Sequence, residues 1–323
     1  LGQSTSKPSP PRSSADRGIL ASVVASFLFA GVYFVTPMLA PASAESLWGV
    51  RNLVTIPLII VTLAALRQLR LFREIAQRIK AKPVLLLPIV ACGFIVSAQL
   101  WLFTWAPLNG RGLQVALGYF LLPLVLVLVG RILYRDQLLW WHWLAATVAA
   151  IGVVFELFRV GSVSWETMLV ALGYPVYFVL RRAIGTNHLG GMLWEFLALS
   201  PIALLFVARE LVQGDALQAN PSLLWFAPLF GLWSGVALIC YLLASRFLSI
   251  SVFGLMSYLE PALLVVASIL IGERITRGEW PMYIAVWGAV ALLAIGGTAQ
   301  LIHAARSRHL PGTASDDSPP AAG

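Results

Sequence analysis

One segment of the chain occurs twice, and this repetition limits the available folds more than any other feature. Gln114 to Asp136 reads QVALGYFLLPLVLVLVGRILYRD, apolar from Val115 to Val129 with only Tyr119 and Pro123 interrupting. As a helix that run rises about 22 Å. Leu113 and the apolar body of Gly130-Arg131-Ile132 extend it to the ~30 Å core of a bilayer. A proline inside a helix frees a carbonyl, which a membrane helix tolerates where a neighbour or a wet cavity satisfies it. The segment therefore reads as a transmembrane helix kinked at Pro123.

Its near-copy is Ser251 to Trp280, SVFGLMSYLEPALLVVASILIGERITRGEW. Both copies carry a Gly, a Tyr, a Pro three or four residues later and an aliphatic run. Each then shows an acid beside an arginine (Arg135-Asp136; Glu273-Arg274) and a tryptophan seven residues past the acid. The register slips by one residue between proline and acid, as in an old internal duplication.

Composition sets the solvent for this repeat. Hydrophobic residues make up 59% of the 323 and charged residues 11%, with a mean hydropathy of +0.85, whereas a soluble surface is roughly a quarter or more charged. Ten apolar runs lie near 18–39, 46–66, 83–105, 113–132, 138–157, 165–182, 191–208, 222–245, 250–271 and 280–303. The short connections leave no room for a soluble domain. With the N-terminus inside, sixteen Lys and Arg fall on the cytoplasmic side, five on the other, and Arg51 within a run. That bias predicts both termini inside and accounts for the net charge of +8 without nucleic acid. Five runs per half is an odd number, so the second half enters from the opposite face. The expected fold is an all-α polytopic membrane protein, ten transmembrane helices in two inverted five-helix repeats. Its boundaries are a disordered tail over 1–17, repeats over 18–158 and 165–303, and a second disordered tail over 304–323.

No HExxH, GxSxG, P-loop or dinucleotide fingerprint is present, so no enzyme and no cofactor is expected. His142, His188, His303 and His309 are dispersed and give no readable metal site. Cys92 and Cys240 lie in apolar runs and read as free thiols.

Ionisable groups inside spans are costly and become functional candidates. Glu260 is about ten residues into the ninth run, before Pro261 and beside Tyr258. It reads as a proton-coupling carboxylate or as a group that only positions its helix. Arg51 sits five residues into the second run, as a functional charge or an arginine snorkelling to the interface. Glu45 lies near the outer edge, and about 9 Å of helix rise make an Arg51–Glu45 pair awkward. Glu195 is expected to pair with Arg182 at the cytoplasmic face; Glu156 and Glu166 flank an external turn and read as solvated. Most of the twelve tryptophans fall at span ends as interfacial anchors. Trp101, Trp105 and Trp233 lie deeper, and with Tyr119, Tyr174, Tyr177, Tyr241 and Tyr258 they are candidates to line a cavity. Gln99 and Ser234 are the polar groups at matching depth. Tyr119, Tyr258, Trp105 and Trp233 are predicted to face one central space.

The stretch QLWLFTWAPLNGRGLQVALGYFLLPLVLVLVGRILYRDQL resembles the RarD-type branch of the EamA family, within the drug/metabolite transporters, as does GGMLWEFLALSPIALL. SYLEPALLVVASILIGERIT is similar to the EamA motif more generally, and the likeness spans residues 18 to 303. The resemblance implies two inverted EamA repeats, a carrier in the bacterial inner membrane, and a cavity lined mainly by the first, third, fourth, sixth, eighth and ninth spans. Where the RarD pattern has Asn-Trp this chain has Gln99-Leu100 with Trp101 displaced. Leu122 and Gln114 replace an Asn and a Glu, and Phe29-Ala30 stand in the first span without the family's lysine. The function expected is a secondary transporter, exporting or exchanging a small amphipathic solute such as an amino acid. The alternatives are efflux of a drug such as chloramphenicol, or a non-transporting scaffold or intramembrane enzyme.

Overall fold

The computed structural model describes residues 12–109, 111–161, 163–271 and 277–306. Among them all regular structure is helical: α1 (Arg12–Val35), α2 (Ala44–Ala65), α3 (Arg70–Ala81), α4 (Leu86–Leu108), α5 (Gly112–Leu133), α6 (Trp140–Val160), α7 (Trp165–Ala183), α8 (Leu189–Gln213), α9 (Ala216–Ala219), α10 (Leu223–Phe247), α11 (Ile250–Met256), α12 (Leu259–Ile271) and α13 (Trp280–Arg306), with short 3-10 turns after α1 and before α4. Each apolar run read from the sequence is helical, the ninth in two pieces. Among the described residues seven helices, α1, α2, α4, α5, α6, α8 and α10, are long and apolar enough to cross a membrane.

Two boundaries differ from the sequence reading. α1 begins at Arg12, inside the stretch expected to be irregular, and α13 runs to Arg306. Apolarity marks where a helix is buried, not where its hydrogen bonding stops. The rest of both tails (1–11 and 307–323) and the second acid–arginine pair, Glu273-Arg274, lie outside the described residues.

Local chemistry explains most helix ends. The Ser43, Ser164 and Ser249 hydroxyls accept from the N–H groups of Ser46, Thr167 and Val252, using donors that a helix start leaves unpaired. Gly161 stops α6 at φ 74°, where a side chain would be strained. The ninth span breaks between Met256 and Leu259 because Pro261 has no N–H for the Ser257 carbonyl and its ring crowds that group. Pro261 instead occupies the first turn of α12, where proline is tolerated. The equivalent Pro123 stays inside continuous α5, so the two copies have diverged in backbone.

Those copies pack directly on each other, α5 against α11. A Cβ at Gly254 would come within 2.6 Å of the Leu126 Cβ and 3.0 Å of the Pro123 carbonyl oxygen, and the Ser251 hydroxyl donates to Val127 O at 3.3 Å. Small residues at such crossings let helices associate where water supplies no hydrophobic drive. The other main pairings are α1 with α10 and α12, α7 with α4 and α5, α2 with α10, α8 with α4, α2 with α8, and α6 with α13, and α2 also packs on α4, α3 on α8 and α5 on α6. A large buried cluster fills the bundle centre, and a smaller one sits among α5, α6, α12 and α13. Phe27, Val61, Phe94, Ile132, Ile151 and Phe158 are among many exposed large apolar side chains, as a lipid-facing surface requires.

The basic connection between the second and third apolar runs, Arg67–Lys82, contains α3. It turns Ile75 inward while Phe72 stacks on Trp194 at 5.0 Å. Arg78 Nη2 donates to Ile184 O at 2.6 Å. Its charges alone suggest a loop; the Leu71, Phe72, Ile75 spacing is the helical signal that the basic count obscured.

Candidate substrate site

Five rings from five helices close a circuit in the bundle centre. Phe29 of α1 meets Phe103 of α4 at 6.1 Å, Phe103 meets Tyr119 of α5 at 5.8 Å, and Tyr119 meets Tyr174 of α7 at 6.4 Å. Tyr174 then meets Tyr241 of α10, and Tyr241 meets Phe29, both at 5.8 Å. Phe178 and Phe253 back Tyr241 at 5.8 and 4.8 Å. Most contacts are edge-on, the geometry that ring quadrupoles favour.

Two ionisable groups address these tyrosines. Arg51 of α2 is 1% exposed and lies within electrostatic reach of Tyr119 and Tyr174. Its Nε donates to Ser234 Oγ at 2.8 Å, and its Nη1 donates to Leu100 O and Thr104 Oγ1, both at 2.9 Å. Glu260, in the first turn of α12, is 4% exposed and reaches Tyr119, Tyr174 and Tyr241 electrostatically. Gln99 is fully buried, donating from Nε2 to Leu169 O at 2.6 Å while its Oε1 has no partner.

The remaining expected site residues are placed elsewhere. Trp101 and Trp105 stack at 5.3 Å, and Trp101 Nε1 donates to Glu45 Oε1 at 3.0 Å. Glu45 also lines an outer pocket of about 350 Å³ with Ser43, Phe206, Arg209, Glu210 and Gln213. Trp233 is 39% exposed, its Nε1 donating to Leu28 O at 3.0 Å. Tyr258 is buried in the smaller cluster beside α6 and α13. The single central space predicted for Tyr119, Tyr258, Trp105 and Trp233 therefore needs correction: Tyr119 faces the ring, while Tyr258 and Trp233 do not. Tyr119 stands four residues before its proline and Tyr258 three, a difference of about 100° on a helix, and the break before Pro261 adds to the divergence.

Three electrostatic expectations are also corrected. Glu195 pairs with Arg181, not Arg182, at 2.9 Å, and accepts from the Tyr177 hydroxyl at 2.9 Å. Arg182 instead donates to Ser245 O and Leu248 O. Tyr174, Tyr177, Phe178 and Arg181 share one face of α7, and this i, i+3, i+4, i+7 spacing is the signal that reasoning from charge alone missed. Glu156 and Glu166 are fully buried, not solvated, against Arg159 and Arg111. Each arginine covers its carboxylate from the solvent side, and Glu166 holds the Arg111 guanidinium above its ordinary pKa.

His188 caps α8, its Nδ1 accepting from Gly191 N. Burial first, then Arg181, Arg246 and Arg78, push its pKa down to about 4. The unfolded chain then takes up a proton near 6.5 that the folded chain refuses until about 4. The stability of the neutral cap is complete above about 6.5 and declines as the pH falls toward 4. The thermal midpoint of detergent-purified wild type should fall through that window, and His188→Asn, which keeps a cap acceptor without titrating, should flatten the fall. Equal slopes would reject the assignment.

Among the described residues no group of His, Cys, Asp and Glu could hold a metal ion, and Cys92 and Cys240 are free. No protein-family model matches the chain. An uncharacterized transporter of Haemophilus influenzae is 35% identical over 281 residues, 87% of this chain and 94% of the relative. The chloramphenicol-sensitive protein RarD of Pseudomonas aeruginosa is 35% identical over 277 residues, 85% and 93% of the two chains. The chain belongs to the RarD-type transporter family. Membership extends at lower identity to the RarD protein of Escherichia coli, 25% identical over 281 residues. A solved structure titled "Crystal structure of protein" shares the fold, with a TM-score of 0.57 and 19% identity over 88% of this chain and 98% of that one. With its apolar helices, RarD-type membership makes this a multi-pass bacterial membrane protein and a transporter.

Proposed function

We propose that the chain is an inner-membrane secondary transporter that exports or exchanges a small amphipathic solute, such as an amino acid or related metabolite, by alternating access at the aromatic ring. The observation carrying this reading is the closed circuit of rings from five helices, addressed by one buried cation and one buried carboxylate. Such a site offers apolar contact on its walls and a few polar groups to fix orientation. Ten crossings in two inverted EamA repeats, 18–158 and 165–303, are supported by the packing itself. Exchanging the halves turns α1 with α10 into α7 with α4, α1 with α12 into α7 with α5, and α2 with α10 into α8 with α4. The pairs α2 with α8, α5 with α11 and α6 with α13 exchange into themselves. Two such halves can rock around a shared site. Gln99, Tyr119, Tyr174 and Tyr241 are the substrate contacts, Trp101 and Trp105 with Glu45 stand on the outer approach, and Glu260 is the coupling group. Trp233 and Tyr258 support the helices without touching solute, and Glu195 with Arg181 fixes α7 to α8.

The test is counterflow in proteoliposomes: liposomes preloaded with a mixed amino-acid pool should accumulate an external labelled member. Saturable binding without counterflow would reject transport and favour a scaffold. Chloramphenicol efflux is the second reading, and the name of the Pseudomonas relative links that protein to chloramphenicol sensitivity. Accumulation of labelled chloramphenicol in inverted vesicles would support it. The charge bias predicts a further outcome: reporters fused within α3 and after Arg306 should both read cytoplasmic. A periplasmic signal at either place would overturn the topology.

A further inference from the structure

We propose that Arg51 is the anchor for the carboxylate of an amphipathic organic anion. This rests on reading the aromatic ring as a transport site and specifies the chemical class of its solute. Arg51 and Arg181 are the two largest fully buried side chains, and the comparison between them carries the inference. Arg181 has its counter-charge in Glu195. Arg51 has none: among the described residues its Nε and Nη1 reach only a hydroxyl, a carbonyl and a second hydroxyl, and no carboxylate lies at ion-pair distance.

A guanidinium keeps its charge in a protein, and a buried charge without a partner is strongly unfavourable. The unmet demand is located on one atom. Nη1 already donates twice, Nε donates once, and Nη2 is buried with no acceptor. Both N–H groups of Nη2 are therefore available to carboxylate oxygens, and such charge-assisted hydrogen bonds are roughly twice as strong as neutral ones. The Phe230 ring lies 5.4 Å from Cζ on one side. Tyr119 and Tyr174, within electrostatic reach, carry the site on into the aromatic circuit. A solute seated this way places its carboxylate at Arg51 and its apolar body among the rings.

The three tethers also explain why this residue, and not a surface arginine, would act. α2, α4 and α10 each contribute to its setting through Arg51 itself, Leu100 with Thr104, and Ser234. The guanidinium is fixed before the solute arrives, so little ordering remains to oppose binding.

The experiment measures thermal unfolding of the purified full chain with matched probes: phenylacetate against phenylacetamide, and phenylalanine against phenylalaninamide, with sodium chloride as the inorganic control. At least one carboxylate should raise the midpoint while its amide and chloride do not. In Arg51→Gln the carboxylate should bind about 30-fold or more weakly. Arg51→Lys, which keeps the charge but not the tethered, oriented Nη2 donors, should retain the preference for carboxylate at reduced affinity. It also decides the matter should Arg51→Gln fail to fold. Equal stabilisation by acid and amide, equal stabilisation by chloride, undiminished carboxylate binding in Arg51→Gln, or no shift with any carboxylate would each overturn the assignment. Counterflow separates this from the reading beneath it. Transport of neutral chloramphenicol without any carboxylate preference removes the anchor and keeps the transporter. Carboxylate binding without counterflow removes transport and keeps the anchor.

Discussion

Glu195→Gln is expected to lower the thermal unfolding midpoint by on the order of 10 °C. The carboxylate is fully buried, 2.9 Å from Arg181 Nε and 2.9 Å from the Tyr177 hydroxyl. The amide keeps the shape and leaves the Arg181 guanidinium, itself fully buried, without its counter-charge. Breaking a buried pair from one side costs about 3–5 kcal/mol, and in a chain of this size each kcal/mol is worth roughly 2–4 °C. Removing both charges together, as Arg181→Met with Glu195→Leu, should restore part of the loss. Recovery is incomplete because Arg181 Nη2 also holds the Thr186 and His188 carbonyls, both at 2.9 Å. Differential scanning of the three proteins in one detergent reads the result. A single mutant melting with wild type would show that the pair contributes nothing net.

The second large effect concerns Glu260→Gln. Under the transport reading, this carboxylate carries the proton whose gradient drives the solute. Its side chain has no hydrogen-bond or ion-pair partner among the described residues, and the groups facing it are Tyr119, Tyr174 and Tyr241. Arg51 reaches the first two of these tyrosines from its own position. The glutamine keeps size and hydrogen bonding but cannot titrate. Solute counterflow should continue in Glu260→Gln liposomes, while uptake driven by an imposed pH gradient drops to the rate seen without one. Gradient-driven uptake at the wild-type rate would assign Glu260 to structure alone.

Residue by residue, the sequence fixes what depends on neighbours within a turn or two of helix. The ten apolar runs are helical because a bilayer-length apolar stretch can satisfy its own backbone only by coiling. Ser43, Ser164 and Ser249 mark helix starts, and Pro261 marks a break, for reasons contained in a few adjacent residues. The internal repeat is legible for the same reason: a glycine, a tyrosine and a proline recur in the same order in α5 and in α11–α12, the proline three or four residues after the tyrosine. Glu260 stood out because any carboxylate in so apolar a run must be accommodated.

The tertiary structure decided which side chains meet. Arg181 and Arg182 are adjacent in sequence and both basic, yet about 100° of helical rotation separates them. One faces Glu195 inside the bundle and the other faces the carbonyls that end α10. Glu156 and Glu166 looked solvated because they border a short turn; Arg159 and Arg111 fold over them and exclude water. Tyr119 and Tyr258 match in the repeat only to within a residue and do not match in space, since their spacing to the proline differs by one and one helix is continuous there while the other is broken. The aromatic circuit joins Phe29, Phe103, Tyr119, Tyr174 and Tyr241 across up to 212 positions of chain, a relation set by helix rotation and crossing and by nothing local. Arg51 shows the division within one residue. Its presence in an apolar run was plain from the sequence, but only packing of α2 against α4 and α10 revealed that three of its donors are met by neutral groups and that Nη2 is left with none.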